Sequence, residues 1–123
     1  MRVIIEPDYD RMSKWAANYV ANRIKEANPT PEKPFKLGCP TGSSPLGLYK
    51  ELIKKYEAGE ISFANVITFN MDEYVKIPED HPESYHSFMW KNFFSHIDIK
   101  KENVHILDGN ESKIGRASCR ERV

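Results

Sequence analysis

Residues 37–49 read LGCPTGSSPLGLY: an apolar strand end, a proline, four small residues, a second proline and a hydrophobic run. This stretch decides the fold, because a buried strand that turns through small residues into a helix is half of a strand-helix-strand unit. Small residues let a backbone approach another group closely, and a helix start with free N–H groups suits an anion. A plain turn with a helix cap would use the same residues, and this reading stays open. The loop lacks the lysine of G-x-x-x-x-G-K-[ST] and the three glycines of G-x-G-x-x-G, so neither familiar nucleotide-binding loop is expected.

Outward from this loop the periodicity alternates between two and 3.6. FKLGC, residues 35–39, reads as the strand that enters it. Ser44 and Pro45 read as an N-cap and first-turn pair opening a helix through Leu46, Leu48, Tyr49, Leu52, Ile53 and Tyr56, which stops at Gly59. Before the loop, RVIIE is a short β-rich run. From Asp8 onward, Met12, Trp15, Ala16, Tyr19, Val20 and Ile24 recur at spacings of three and four, as on an amphipathic helix. After it come NVITFN, a strand closed by the polar MDEY, and then a helix carrying Tyr85, Phe88, Met89, Asn92, Phe93 and His96. VHIL reads as a fourth strand. Repeated strand, helix and strand predict an α/β fold with a doubly wound parallel sheet and helices on both faces.

The composition narrows the function classes. The chain has 123 residues, 18 basic and 18 acidic, so it is one unit without the electrostatic footprint of a nucleic-acid or anionic-membrane binder. No apolar stretch approaches a membrane span, and MRVIIEPDYD turns acidic too soon for a signal peptide, so a cytoplasmic location is expected. Cys39 and Cys119 lie far apart without metal-type spacing, and no disulfide is expected.

In a parallel sheet ligands gather outside the carboxyl ends of the strands. PTGSSP and NMDEYV both fall there, so backbone donors and a carboxylate would face one crevice. Asp72 and Glu73 have a bland reading too, as loop carboxylates in water or as a cap for the next helix. His81, His86, His96 and His105 form no H-x-x-x-H and no Cys/His cluster, so no metal site is expected, and they read as core-edge or surface residues. The aromatic stripe of SYHSFMWKNFF is at helical spacing and reads as core.

LGCPTGSSPLGLYKELI, FNMDEYV, DHPESYHSFMWKNFF and HILDGN together resemble the N-terminal part of the glucosamine-6-phosphate deaminase (isomerase) family, from Met1 to about Glu111 or Ser112. The resemblance implies a Rossmann-like α/β/α sandwich, here incomplete on its C-terminal side. It implies conversion of glucosamine 6-phosphate and water to fructose 6-phosphate and ammonia within N-acetylglucosamine catabolism, by an enzyme classed as a hydrolase of an amino sugar phosphate. Cofactors and metals: none. Partners would be the sugar phosphate and, for the full-length protein, copies of itself in a hexamer or smaller homo-oligomer. Asp72 matches the base that moves a proton from C2 to C1. Thr41, Gly42, Ser43 and Ser44 match the segment wrapping the substrate, and Glu73 is expected beside it as a binding residue. Cys39 stands where Leu is commoner, Ser44 where Thr is, and Lys76 where a Gly usually follows the Val. A sugar-phosphate sensor without chemistry and a lactonase relative of the same fold are the alternatives.

The family continues well beyond this chain, and the remaining catalytic groups and phosphate clamps lie in that part. From Lys113 the sequence KIGRASCRERV shows no amphipathic period. The codons ATC GGA AGA GCG TCG TGT AGG GAA AGA GTG, those of a sequencing adapter, translate to Ile114 through Val123. The expected organisation is therefore residues 1–112 as the start of a sugar-phosphate isomerase/deaminase domain and residues 113–123 as a non-native tail, with the fragment inactive alone.

Overall fold

A computed structural model of the chain describes residues 1–110 and the backbone of residues 119–120. Its first element is helix α1, Tyr9–Ala27, where Asp8 is the N-cap and its Oδ1 accepts the Arg11 N–H at 2.8 Å. The helix ends at Asn28, which takes a left-handed φ of 43° and donates its N–H to the carbonyls of Ile24 and Lys25. Strand β1 is Phe35–Cys39, helix α2 Leu46–Glu57, and strand β2 Val66–Asn70. Then come the two-residue strand β3, Glu73–Tyr74, helix α3, Tyr85–Asn92, and strand β4, Val104–His105. Two short 3-10 turns, Phe94–His96 and Lys101–Asn103, connect α3 to β4.

The main sheet has the order β1-β2-β4 and is parallel throughout. Phe35 lies beside Val66, Leu37 beside Thr68 and Cys39 beside Asn70, while Thr68 faces Val104. Residues in register share a face. The helix-covered face is therefore Phe35, Leu37, Cys39, Val66, Thr68, Asn70 and Val104, and Val66 and Thr68 are fully buried there. The aromatic stripe packs as expected: Phe93 stacks on Tyr49 at 4.7 Å between ring centroids and meets Phe63 edge-on at 5.5 Å. The opposite face carries Lys36, Gly38, Ile67, Phe69 and His105 by the same register. Phe69 is 44% exposed there and stacks on His105 at 5.0 Å. The α/β class with a parallel sheet is thus the observed one; helices were expected on both faces, but among the described residues they cover one face and leave the other open.

Three local expectations change. RVIIE forms no strand: among the described residues no ladder includes it, and Val3 and Ile5 are 66% and 88% exposed. A β-rich run becomes a strand only where a neighbour takes up its hydrogen bonds. The buried face of α1 is Ser13, Ala17, Ala21 and Ile24, with Met12 and Tyr19 exposed. The contact is made by the small residues because α1 sits close to α2: a Cβ built on Gly47 would lie 2.1 Å from Ser13 Oγ. Ser44 makes no side-chain cap to α2. The cap position is Pro45, and the Gly47 N–H is taken by the Tyr9 hydroxyl at 2.8 Å.

NMDEYV is also less irregular than a closing loop, since Glu73–Tyr74 pairs in parallel with the backbone of Cys119–Arg120. Apart from that pair, the expected non-native tail lies outside the described residues.

Candidate active site at the carboxyl ends of the strands

Cys39 and Asn70 are register partners at the ends of β1 and β2, and Asn70 Nδ2 donates to the Cys39 carbonyl at 2.9 Å. The loop that starts at Pro40 and the segment that starts at Met71 therefore leave the sheet side by side, about 5 Å apart, the ordinary strand spacing. This pairing brings the small-residue loop and Asp72 to one edge, as the sequence suggests.

In the loop, Thr41 is half-buried and Gly42, Ser43 and Ser44 are exposed. Gly42 has a φ of +102°, a left-handed conformation that side chains disfavour, and the space where its Cβ would stand is empty. The loop is held from both sides. Tyr9 Oη donates to the Ser43 carbonyl at 2.7 Å, lies 3.2 Å from that of Ser44, and accepts from Gly47 N–H. Tyr49 donates its hydroxyl to the Pro40 carbonyl. Cys39, beneath Tyr49, is 1% exposed, and burial pushes its thiol up to about 12, partly offset by the hydrogen bond with Tyr49. Burial raises the Tyr49 phenol as well. Both groups stay neutral at physiological pH and act as packing and hydrogen-bonding groups.

The acidic pair divides. Asp72 is half-buried, between Met71, 59% exposed, and Glu73, 2% exposed. Glu73 Oε1 accepts the N–H groups of Tyr74 at 2.9 Å and Tyr85 at 3.0 Å, and Oε2 accepts that of His86 at 3.0 Å. Its carboxylate sits at the start of α3, where backbone donors and the helix dipole favour negative charge. Glu73, expected as a binding residue beside the loop, is placed by the structure under the start of α3, where its carboxylate accepts these three backbone N–H groups as a cap for the next helix would. Ser84 completes the cap, accepting the Ser87 N–H at 3.0 Å.

Downstream, the segment after Asp72 is fastened to the HILDGN stretch. The Lys76 N–H donates to the Gly109 carbonyl at 2.6 Å, and Asn110 Nδ2 to the Ile77 carbonyl at 2.9 Å. A Cβ on Gly109 would come within 2.0 Å of the Tyr74 carbonyl oxygen, so glycine is required there by contact. Lys76 takes a φ of +62°, a left-handed conformation that favours glycine over a residue with a side chain.

The histidines are dispersed: His81 Nδ1 accepts the Glu83 N–H, His96 Nε2 meets the Lys91 carbonyl, and His105 stacks on Phe69. A groove of about 960 Å³ between α1, α2 and the end of α3 includes Tyr9, Ser13, Ser43, Ser44, Lys50 and Lys91 but neither Asp72 nor Glu73. No helix among the described residues is long and apolar enough to cross a membrane. Tyr9, Gly109 and Asn110 were not singled out by sequence reasoning. Tyr9 carries no motif, whereas Gly109 and Asn110 sit in a stretch the resemblance had already marked.

Residues 7–122 match the family model described as glucosamine-6-phosphate isomerases/6-phosphogluconolactonases. The chain is 72% identical over 119 residues to a glucosamine-6-phosphate deaminase of Phocaeicola vulgatus, covering 97% of this chain and 45% of the relative. It is 67% identical over 121 residues to one of Borrelia garinii subsp. bavariensis, at 98% and 45% coverage. A solved monomeric glucosamine-6-phosphate deaminase superposes with a TM-score of 0.84 at 37% identity, over 92% of this chain and 45% of that one. A 6-phosphogluconolactonase from Leishmania guyanensis follows at 0.66 and 26%, over 85% and 38%. The chain thus spans about half the length of the relatives it matches. The relatives' names describe isomerases and deaminases, which corrects the hydrolase class expected from the sequence.

Proposed function

The chain belongs to the family of glucosamine-6-phosphate isomerases and 6-phosphogluconolactonases, and from that premise we propose that the full-length protein is a glucosamine-6-phosphate deaminase. The observation that carries this reading is the pairing of Cys39 with Asn70, which sets the small-residue loop beside Asp72. The identity of 72% with a named deaminase supports the choice of substrate.

The reaction follows from the residue types. In open-chain glucosamine 6-phosphate the amine is on C2 and the aldehyde on C1. Asp72 takes the C2 proton, the electron pair forms the C1–C2 double bond of an enolamine while the aldehyde oxygen takes a proton from water, and the same carboxylate returns the C2 proton to C1. The C2 imine left behind adds water, ammonia leaves, and fructose 6-phosphate remains. No electrons are gained or lost overall, so the step as written needs no redox cofactor. Thr41, Gly42, Ser43 and Ser44 hold phosphate and sugar oxygens through hydroxyls and N–H groups.

We place this activity in cytoplasmic N-acetylglucosamine breakdown and assign residues 1–112 to the domain and 113–123 to a non-native tail; the coding sequence beyond position 112 tests that assignment. A hexamer or smaller homo-oligomer is expected for the full-length protein. One solved relative is described as monomeric, so light scattering on full-length protein decides the assembly.

The functional test follows ammonia release and exchange of the C2 proton with solvent in the full-length protein. Asp72→Asn keeps shape and removes the base, and is expected to lower exchange by about 10²–10⁴-fold while substrate still binds. Near-normal exchange in the variant, or no ammonia release by the unaltered protein, overturns the reading. Hydrolysis of 6-phosphogluconolactone instead would assign the lactonase branch.

A further inference from the structure

We propose that Glu73 is a positioning residue for Asp72: its buried carboxylate locks the segment carrying the base onto the first turn of α3. This rests on the reading of Asp72 as the base. Glu73 follows Asp72 directly, so the two Cα atoms are fixed about 3.8 Å apart by the peptide link. Whatever holds Glu73 therefore limits where Asp72 can point.

Three backbone N–H groups hold it. Two belong to Tyr85 and His86 at the start of α3, twelve and thirteen residues on, and one to Tyr74. At 2% exposure the carboxylate is shielded from water, where such bonds are short and strong. Asn70 anchors the segment on the other side through the Cys39 carbonyl, and Gly109 and Asn110 anchor it past Tyr74. Asp72 is thus suspended between a strand end and a helix start. A base that must collect a proton at C2 and deliver it at C1 on the same face depends on that fixed direction, since small misplacements of a reacting group cost rate steeply.

The geometry also offers a test that does not touch the carboxylate. Tyr85 is the first residue of α3, and Ser84 before it has φ −69° and ψ 149°, values that proline accepts in its predecessor. Proline is tolerated at the first helical position, so Tyr85→Pro deletes one N–H to Glu73 without breaking the helix. Tyr85→Ala is the control: it also loses the ring that lies 4.8 Å from Tyr74 but keeps the N–H.

The experiment uses the full-length protein with glucosamine 6-phosphate. Glu73→Gln is expected to lower kcat and C2-proton exchange about 10- to 100-fold, to leave KM and competition by inorganic phosphate within about threefold, and to speed amide exchange at Tyr85 and His86. Tyr85→Pro is expected to lose about tenfold in kcat relative to Tyr85→Ala, at matched KM. If Glu73→Gln does not fold, the Tyr85 pair decides alone. Equal kcat for Tyr85→Pro and Tyr85→Ala overturns the proposal, as does a Glu73→Gln enzyme that loses KM and phosphate binding as much as kcat. Failure of the base assignment itself shows separately, as Asp72→Asn retaining exchange.

Discussion

Asp72 and Glu73 are adjacent in sequence and chemically alike, yet one remains half-exposed past the end of β2 and the other disappears under a helix. Glu73 opens β3 and Asp72 stands just before it, outside the strand. Which of the two points inward is decided by where α3 starts. Gly42 makes a complementary case in the loop. Its φ of +102° disfavours any side chain, and the site of its Cβ faces open space where a ligand could approach. In the full-length protein Gly42→Val is therefore expected to raise KM for the sugar phosphate by about tenfold or more, through strain and through loss of close approach. Steady-state kinetics with inorganic phosphate as a competitor checks it, and unchanged affinity would return the loop to a plain turn.

At the scale of elements, the contact between α1 and α2 depends on the absence of side chains. Ser13, Ala17 and Ala21 face α2, and Gly47 answers them: a Cβ there would lie 2.1 Å from Ser13 Oγ, 2.8 Å from Ser13 Cβ and 2.9 Å from Tyr9 Cε1. On propensity alone Gly47→Ala would favour the helix by about 1 kcal/mol. The clash is expected to outweigh that gain, with a net loss of about 1–3 kcal/mol. Because Tyr9 also carries the Ser43 carbonyl, the same change should raise KM. Urea unfolding of Gly47→Ala measures the first effect. Adding Ser13→Ala should recover part of it, as only the 2.1 Å contact is relieved. A gain in stability in the single variant would show that the helices can separate without cost.

At the scale of the molecule, the sheet is covered on one face only among the described residues. Phe69 at 44% and Met71 at 59% exposure lie along the other face or just past its end, with Val3 and Ile5 exposed in the N-terminal run. Exposed apolar surface beside unpaired strand edges is a hazard for aggregation. The chain also spans only about 45% of the deaminases named above. The 123-residue chain expressed alone is therefore expected to be poorly soluble and to release no ammonia from glucosamine 6-phosphate, since catalytic groups that act as a unit lose nearly everything when part is missing. Turnover by the purified fragment that vanishes in Asp72→Asn would show that this half carries the chemistry unaided.

What the sequence determined by itself was the local grammar. FKLGC is a strand, LGLYKELIKKYE a helix and the aromatic run a core helix because periodicity and end signals are properties of neighbouring residues. The small-residue loop and the acidic pair were legible as a candidate site for the same reason, once alternating strands and helices placed both at one sheet edge. Tertiary structure decided the rest. RVIIE has strand-like residues but no partner to bond with; the stripe of α1 turned toward its small residues because Gly47 let α2 come close; the Gly47 N–H found its cap in Tyr9, on another helix. Glu73 was divided from Asp72 by an α3 whose first residues arrive twelve positions later. Each of these depends on a hydrogen bond or a contact between residues far apart in the chain, and no local pattern encodes which distant donor will arrive.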